Sequence, residues 1–224
     1  MARFVRDNGL SLFFGAIFLL ALLFQSIAGH AVHNEEAMAH HEPLMSYGRY
    51  LTSSEFGQAV LENWQSEYLQ FTLFILLTVW LVQRGSPESK PVNKAGTESD
   101  RDQKVGPHAR EDSPRWARAA GVRRWVYSNS LLLVMATIWV LSWLGQSITG
   151  WNTFNEANQS HDEPTVSWLS YLGSADFWEG TLQNWQSEFL AVGSLAIFAV
   201  YLRQRGSPES KPVGAPHEAT GVEG

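Results

Sequence analysis

Two glutamates, Glu67 and Glu188, each close an Asn-Trp-Gln-Ser-Glu segment and each stand at the start of an apolar run. An ionisable side chain at membrane depth is rare and ordinarily marks an ion or proton path. Asn63 and Asn184 precede them by about one helical turn, and Gln65 and Gln186 lie in the same segments, so amides are at hand to share their hydrogen bonds. If both carboxylates face one cavity, desolvation and mutual repulsion favour a proton held between them, which makes a proton or cation site. The plainer alternative puts both at headgroup level, solvated or hydrogen-bonded to Gln and Trp side chains.

A second constellation lies between the apolar runs: Glu35, His40 and Glu42, then Glu156, His161 and Glu163. Imidazole beside carboxylates suits zinc, manganese or iron. The spacing contains neither Glu-x-x-His nor His-Glu-x-x-His, and acidic loops with histidine are commonly solvated surface. His30, His33 and His41 have no histidine at the matching positions of the second copy, so a symmetric site cannot use them. With no cysteine in the chain, disulfides, thiolate nucleophiles and Cys-ligated metals are excluded. No catalytic motif is present, and nothing in the sequence calls for a particular cofactor.

These residues belong to a tandem duplication. Asn63-Trp64-Gln65-Ser66-Glu67 and Arg84-Gly85-Ser86-Pro87-Glu88-Ser89-Lys90-Pro91-Val92 recur as Asn184-Trp185-Gln186-Ser187-Glu188 and Arg205-Gly206-Ser207-Pro208-Glu209-Ser210-Lys211-Pro212-Val213. One ungapped offset of about 121 positions relates the halves. Apolar residues are gathered in blocks, which points to an all-α integral membrane protein with four spans, near 10–28, 67–83, 131–149 and 188–203. The spans form two tandem helical hairpins, residues 1–92 and 126–213, joined by a flexible basic linker at 93–125 and followed by a disordered tail at 214–224. An even number of spans per repeat makes the repeats parallel, related by an axis along the membrane normal.

The second span of each repeat is short and reads as the end of a longer helix, from about Ser53 to Arg84 and from about Ser174 to Arg203. Arg-Gly-Ser-Pro then supplies a snorkelling cation, a residue free to take positive φ, and a proline that stops the helix. Gln25 and its counterpart Gln146 sit near the far end of the first span of each repeat, where amides join helices. Arg3, Arg6 and Ser26-Ile27-Ala28 imitate a secretory signal, but Gln25-Ser26-Ile27 recurs in mid-chain as Gln146-Ser147-Ile148, which favours a retained span.

Basic residues collect before the first span, between the second and third, and after the fourth, with only Arg49 elsewhere. Positive-inside bias places both termini and the linker in the cytoplasm. The net charge of −6 therefore hides an acidic outer face and a basic inner one, and nucleic acid is not a partner. The bilayer is, with further copies of the chain or another membrane protein as the other candidates.

Asn8-Gly9-Leu10-Ser11, Asn34-Glu35-Glu36, Tyr50-Leu51-Thr52-Ser53, Asn184 to Leu190 and Arg203 to Lys211 together resemble a family of bacterial membrane proteins known as a domain of unknown function. The resemblance spans both repeats and implies a four-span bacterial protein; it brings no reaction or ligand. The expected function is a small transport or permeability module with proton or cation sites at the paired glutamates. A structural or accessory membrane subunit and an extracytoplasmic metal-binding or pH-sensing protein are the alternatives.

Overall fold

The computed structural model describes residues 2–224. It is all-α, with no strand among the described residues. Two short helices, α1 (Ala2–Asp7) and α3 (Tyr47–Tyr50), flank the long α2 (Gly9–Ala39), and α4 (Ser54–Leu77) follows. After two 3-10 turns come α5 (Gly121–Ser128), α6 (Ser130–Ser160), α7 (Trp168–Leu172) and α8 (Ala175–Tyr201). The repeat is visible in the bounds: α2 and α6 are each 31 residues long and start and stop at matching positions.

Helices α2 and α6 are long and apolar enough to cross a bilayer. Phe13, Phe14, Leu19 and Phe24 of α2 are each 60% or more exposed, a surface that water disfavours and lipid does not. Four spans were expected and only these two qualify. The second helices fall short because their N-terminal halves are polar and because α4 ends early. It stops at Leu77, not Arg84, and Thr78 to Trp80 turn where helix was expected. Helix α8 holds to Tyr201, close to the expected end at Arg203.

The first helices in turn run further than expected, absorbing His30 to Ala39 and Trp151 to Ser160 of what reads as loop. Each ends in the same way. His41 and Asp162 take φ of 59° and 57°, and the next amides, Glu42 N and Glu163 N, donate five residues back to Ala37 O and Asn158 O at 2.8 and 2.7 Å. This is a Schellman stop, followed by Pro43 or Pro164. The shared His-x-Glu-Pro skeleton is thus accounted for as a helix terminator.

Past the stop, each chain is tied back to its helix by an asparagine. Asn34 Oδ1 accepts from Met45 N at 2.8 Å while its Nδ2 donates to Met45 O at 3.1 Å. Asn155 does the same to Val166, at 2.8 and 3.1 Å. The carbonyl gains another contact, His30 Nε2 at 2.7 Å in one copy and the Trp151 indole N–H at 2.8 Å in the other. Ser53 and Ser174 then cap α4 and α8, each hydroxyl accepting from the amide three residues on, Phe56 N or Phe177 N, at 3.2 Å.

Gly29 gives Tyr50 its place. Tyr50 is buried, and a Cβ at Gly29 would collide with its hydroxyl and ring. Gly29→Ala is expected to destabilise the fold by about 1–3 kcal/mol through overpacking. A thermal melt of the purified variant tests this, and an unchanged midpoint would show that Tyr50 can swing aside.

The chain packs as two compact units, residues 1–60 with 145–168 and residues 61–144 with 169–224. Each unit draws on both repeats. Both Asn-Trp-Gln-Ser-Glu segments lie in the second, and Gln25, Gln146 and the loop histidines and glutamates in the first.

Candidate functional site

Helices α4 and α8 carry three tiers of polar groups. The first is near their N-terminal ends. Tyr171 is buried and shares a side-chain hydrogen bond with Asp176, and burial with the charges of Asp176 and Glu62 pushes its hydroxyl far up. Glu62, half-buried, is held above the usual carboxylate range by burial first and by Asp176 second. The first repeat builds a looser version in which His33 Nδ1 lies 2.6 Å from Glu55 Oε2. Phe154 stands where His33 would recur, so the second copy has no such pair.

The middle tier is the Asn-Trp-Gln-Ser-Glu segment, and its two copies are not equivalent. Gln65 is fully buried and its Oε1 accepts the Trp185 indole N–H at 2.8 Å, whereas Gln186 is exposed. Trp185 leans on Trp143, with ring centroids 6.4 Å apart, so these tryptophans are packing groups. Asn63 is exposed; Asn184 is half-buried and donates to Gly180 O at 2.9 Å. Glu67 is exposed, Glu188 is half-buried, and the two are within electrostatic reach of one another. Gln25 is exposed while Gln146 is buried.

The third tier was not anticipated. Beyond the helix ends, the two Arg-Gly-Ser-Pro-Glu-Ser-Lys-Pro segments fold alike. Gly85 and Gly206 take φ of 86° and 82°, a conformation that favours glycine. Ser89 Oγ accepts from Gln83 N at 2.9 Å, and Ser210 Oγ from Gln204 N at 2.9 Å. Lys90 Nζ donates to Gly96 O at 3.0 Å, and Lys211 Nζ to the matching carbonyl, His217 O, at 2.7 Å. Lys211 is wholly enclosed, and burial together with Arg203 pulls its ammonium below the usual lysine range.

One residue of the motif has no such local task. The two glutamates, Glu88 and Glu209, meet and share a side-chain hydrogen bond. That bond, then burial, then the charges of Glu209 and Glu223, raise Glu88 to about 7. Both side chains are exposed to solvent, so the pair stands at the rim of the helices and its hydrogen bond holds while one of the two carboxyl groups is protonated. Glu223 arrives on the tail, which is not free: Gly85 N donates to Thr220 Oγ1 at 2.8 Å and Gly221 N to Ser86 O at 3.0 Å.

Glu35, His40, Glu42, Glu156, His161 and Glu163 are all exposed. Among the described residues no three His, Asp or Glu side chains gather as a metal site.

The model of one protein family matches residues 1–222. This chain belongs to that family, described as a domain of unknown function, DUF6766. No curated protein and no solved structure matches it. Within the DUF6766 chain, the signal for the missed pair was present in the sequence. Gly-Ser-Pro suffices to stop a helix, so the repetition of Glu-Ser-Lys-Pro after it called for a further explanation. The Ser and Lys of this repeated segment brace the turn, and the Glu joins the copies.

Proposed function

We propose that the protein is a small module of the bacterial cytoplasmic membrane that moves protons or small cations, with carboxyl pairs on α4 and α8 and at their ends as its ionisable stations. The observation that carries this reading is the Glu88–Glu209 pair: repeat-related carboxyl groups, sharing a proton, at a cavity between two helices. Glu67 and Glu188 stand at the other end of the apolar segments, so the same two helices hold ionisable groups on both sides of an apolar stretch. A proton path needs such groups and a means of passing between them.

In this reading α2 and α6 are full spans, and α4 and α8 complete a four-span arrangement with both termini cytoplasmic. Only the part of α4 beyond Glu67 is apolar, so in this reading the chain from Tyr68 to Val82 crosses the hydrocarbon while the turn that carries exposed Asn63, Trp64 and Glu67, with Gln65 and Ser66 buried against protein, stands at headgroup level. Four helices enclose little volume, so further copies of the chain would complete a pore. The exposure of Glu67 and Trp64 favours a second reading, an accessory subunit that docks a membrane partner there.

Flux in proteoliposomes decides between them. The unmodified protein is expected to carry protons or monovalent cations above the rate of empty liposomes. Glu88→Gln with Glu209→Gln is expected to cut that rate at least about tenfold, as loss of a proton-transfer station does. Glu67→Gln with Glu188→Gln asks whether the Asn-Trp-Gln-Ser-Glu pair belongs to the same path. No flux above empty liposomes would discard transport and leave the accessory reading.

A further inference from the structure

Between α4 and α8 lies a cavity of about 460 Å³, within the size range of small-molecule sites. Its walls are largely apolar, with Phe71, Phe74, Leu81, Val192 and Leu195 prominent, and both Glu88 and Glu209 line it. Gln70 also lines it, and its Oε1 is buried with no hydrogen-bond partner among the described residues. A buried acceptor without a donor is unfavourable, so it favours a ligand that brings an N–H or O–H. Among the described residues no Lys or Arg lines the cavity. An apolar chamber with two carboxyl groups and no basic side chain among its described lining residues, beside neutral Thr, Ser and Gln groups, is complementary to an apolar body bearing a cationic N–H donor.

We infer that this cavity binds a protonated lipophilic amine, its hydrocarbon part against Phe71, Phe74 and Leu195 and its ammonium group at Glu88 and Glu209. The inference rests on the proton-moving reading in that it uses the same carboxyl pair, and it deepens that reading by naming a substrate class. A small hydrated ion has no use for phenylalanine and leucine walls; an alkyl or aryl ammonium does.

The exchange balances. The empty pair holds one proton and carries one negative charge; the ammonium enters as a cation, and the shared proton leaves to water. The occupied site then contains two carboxylates and one ammonium, with the same net charge as before. Each amine bound releases one proton, which couples amine entry to proton exit without any other reactant. Glu223 is the further charged group that faces Glu88, and its charge favours the cation as well.

The test is calorimetric titration of the full chain in phosphatidylcholine nanodiscs with 4-phenylbutylamine, using 4-phenylbutanol as the neutral analogue. Two buffers of different ionisation heat report proton release. The amine is expected to bind at least about tenfold more tightly than the alcohol, with about one proton released per amine when titrated near pH 6 and about half a proton near pH 7. Glu88→Gln with Glu209→Gln is expected to lose both the preference and the release. Ala196→Phe, which fills the cavity and leaves both carboxyl groups in place, is expected to lose binding; it decides the matter if the double variant does not fold. Equal affinity for amine and alcohol, or unchanged amine binding in either variant, would overturn the inference. Amine binding without any ion flux would overturn transport alone, and flux without amine binding would overturn this ligand alone.

Discussion

Asn155→Leu is expected to lower the unfolding free energy by about 2–4 kcal/mol, because it strips two hydrogen bonds from a buried loop anchor. Asn155 is 9% exposed and holds both the N–H and the carbonyl of Val166. Leucine has similar volume but neither group, so the Val166 N–H is left inside the protein with nothing to replace Oδ1. The carbonyl keeps the Trp151 indole N–H, which is why the loss falls short of both bonds in full. Asn155→Asp retains the acceptor and loses the donor, and its effect is expected to lie between. Asn34→Leu removes the same pair of bonds from Met45 at a half-buried position, where water can reach, and is expected to be milder. Denaturant unfolding of the three variants in one membrane mimetic measures the series. An Asn155→Leu protein within about 0.5 kcal/mol of the unmodified one would mean the loop is held by other contacts.

The second large effect concerns pH. In the folded protein Glu88 titrates at about 7, raised by its bond to Glu209, by burial and by the charges of Glu209 and Glu223. In the unfolded chain it titrates near the ordinary glutamate value of about 4.3. A carboxyl group with a raised folded pKa stabilises the fold while it is protonated. That contribution is complete below the unfolded value and is lost as pH rises through the folded one. The melting temperature is therefore expected to fall between about pH 4 and 7 and to level off above. In Glu88→Gln the step should largely vanish, since the amide N–H donates to Glu209 at every pH in this range. Glu62 is raised too and adds its own slope in the same direction, so the difference between the two proteins is the quantity to read. Identical pH profiles for the two would show that the carboxyl groups do not share a proton.

Much of the local structure was legible in the chain. The starts of α4 and α8 follow from Ser53 and Ser174, the helical class from the apolar blocks, and the equal lengths of α2 and α6 from the repeat offset. Two helix ends were misjudged for opposite reasons. His30 to Ala39 and Trp151 to Ser160 look like loop by polarity, yet they contain no proline or helix-ending glycine, and propensity carries α2 and α6 through to the left-handed residues before Pro43 and Pro164. Thr78 to Val82 look helical by composition, but the backbone leaves the helix there, and Gly96 N donates to Val79 O at 2.7 Å. That bond joins two parts of the chain that no local pattern relates.

The sequence alone determined the all-α class, the duplication, the capping serines, the glycines at positive φ and the absence of cysteine chemistry. All of these rest on interactions over a few residues, or on counting. Only the tertiary structure decided which copies of the repeated side chains are buried and which carboxyl groups meet. Gln65 and Gln186 are identical in the sequence and opposite in burial because each packs beside a different neighbour. Glu88 finds Glu209 because α4 and α8 are adjacent and the two turns beyond them converge, bringing together residues about half the chain apart. A repeat states that two segments fold alike; the packing of one copy on the other determines whether the pair makes a site.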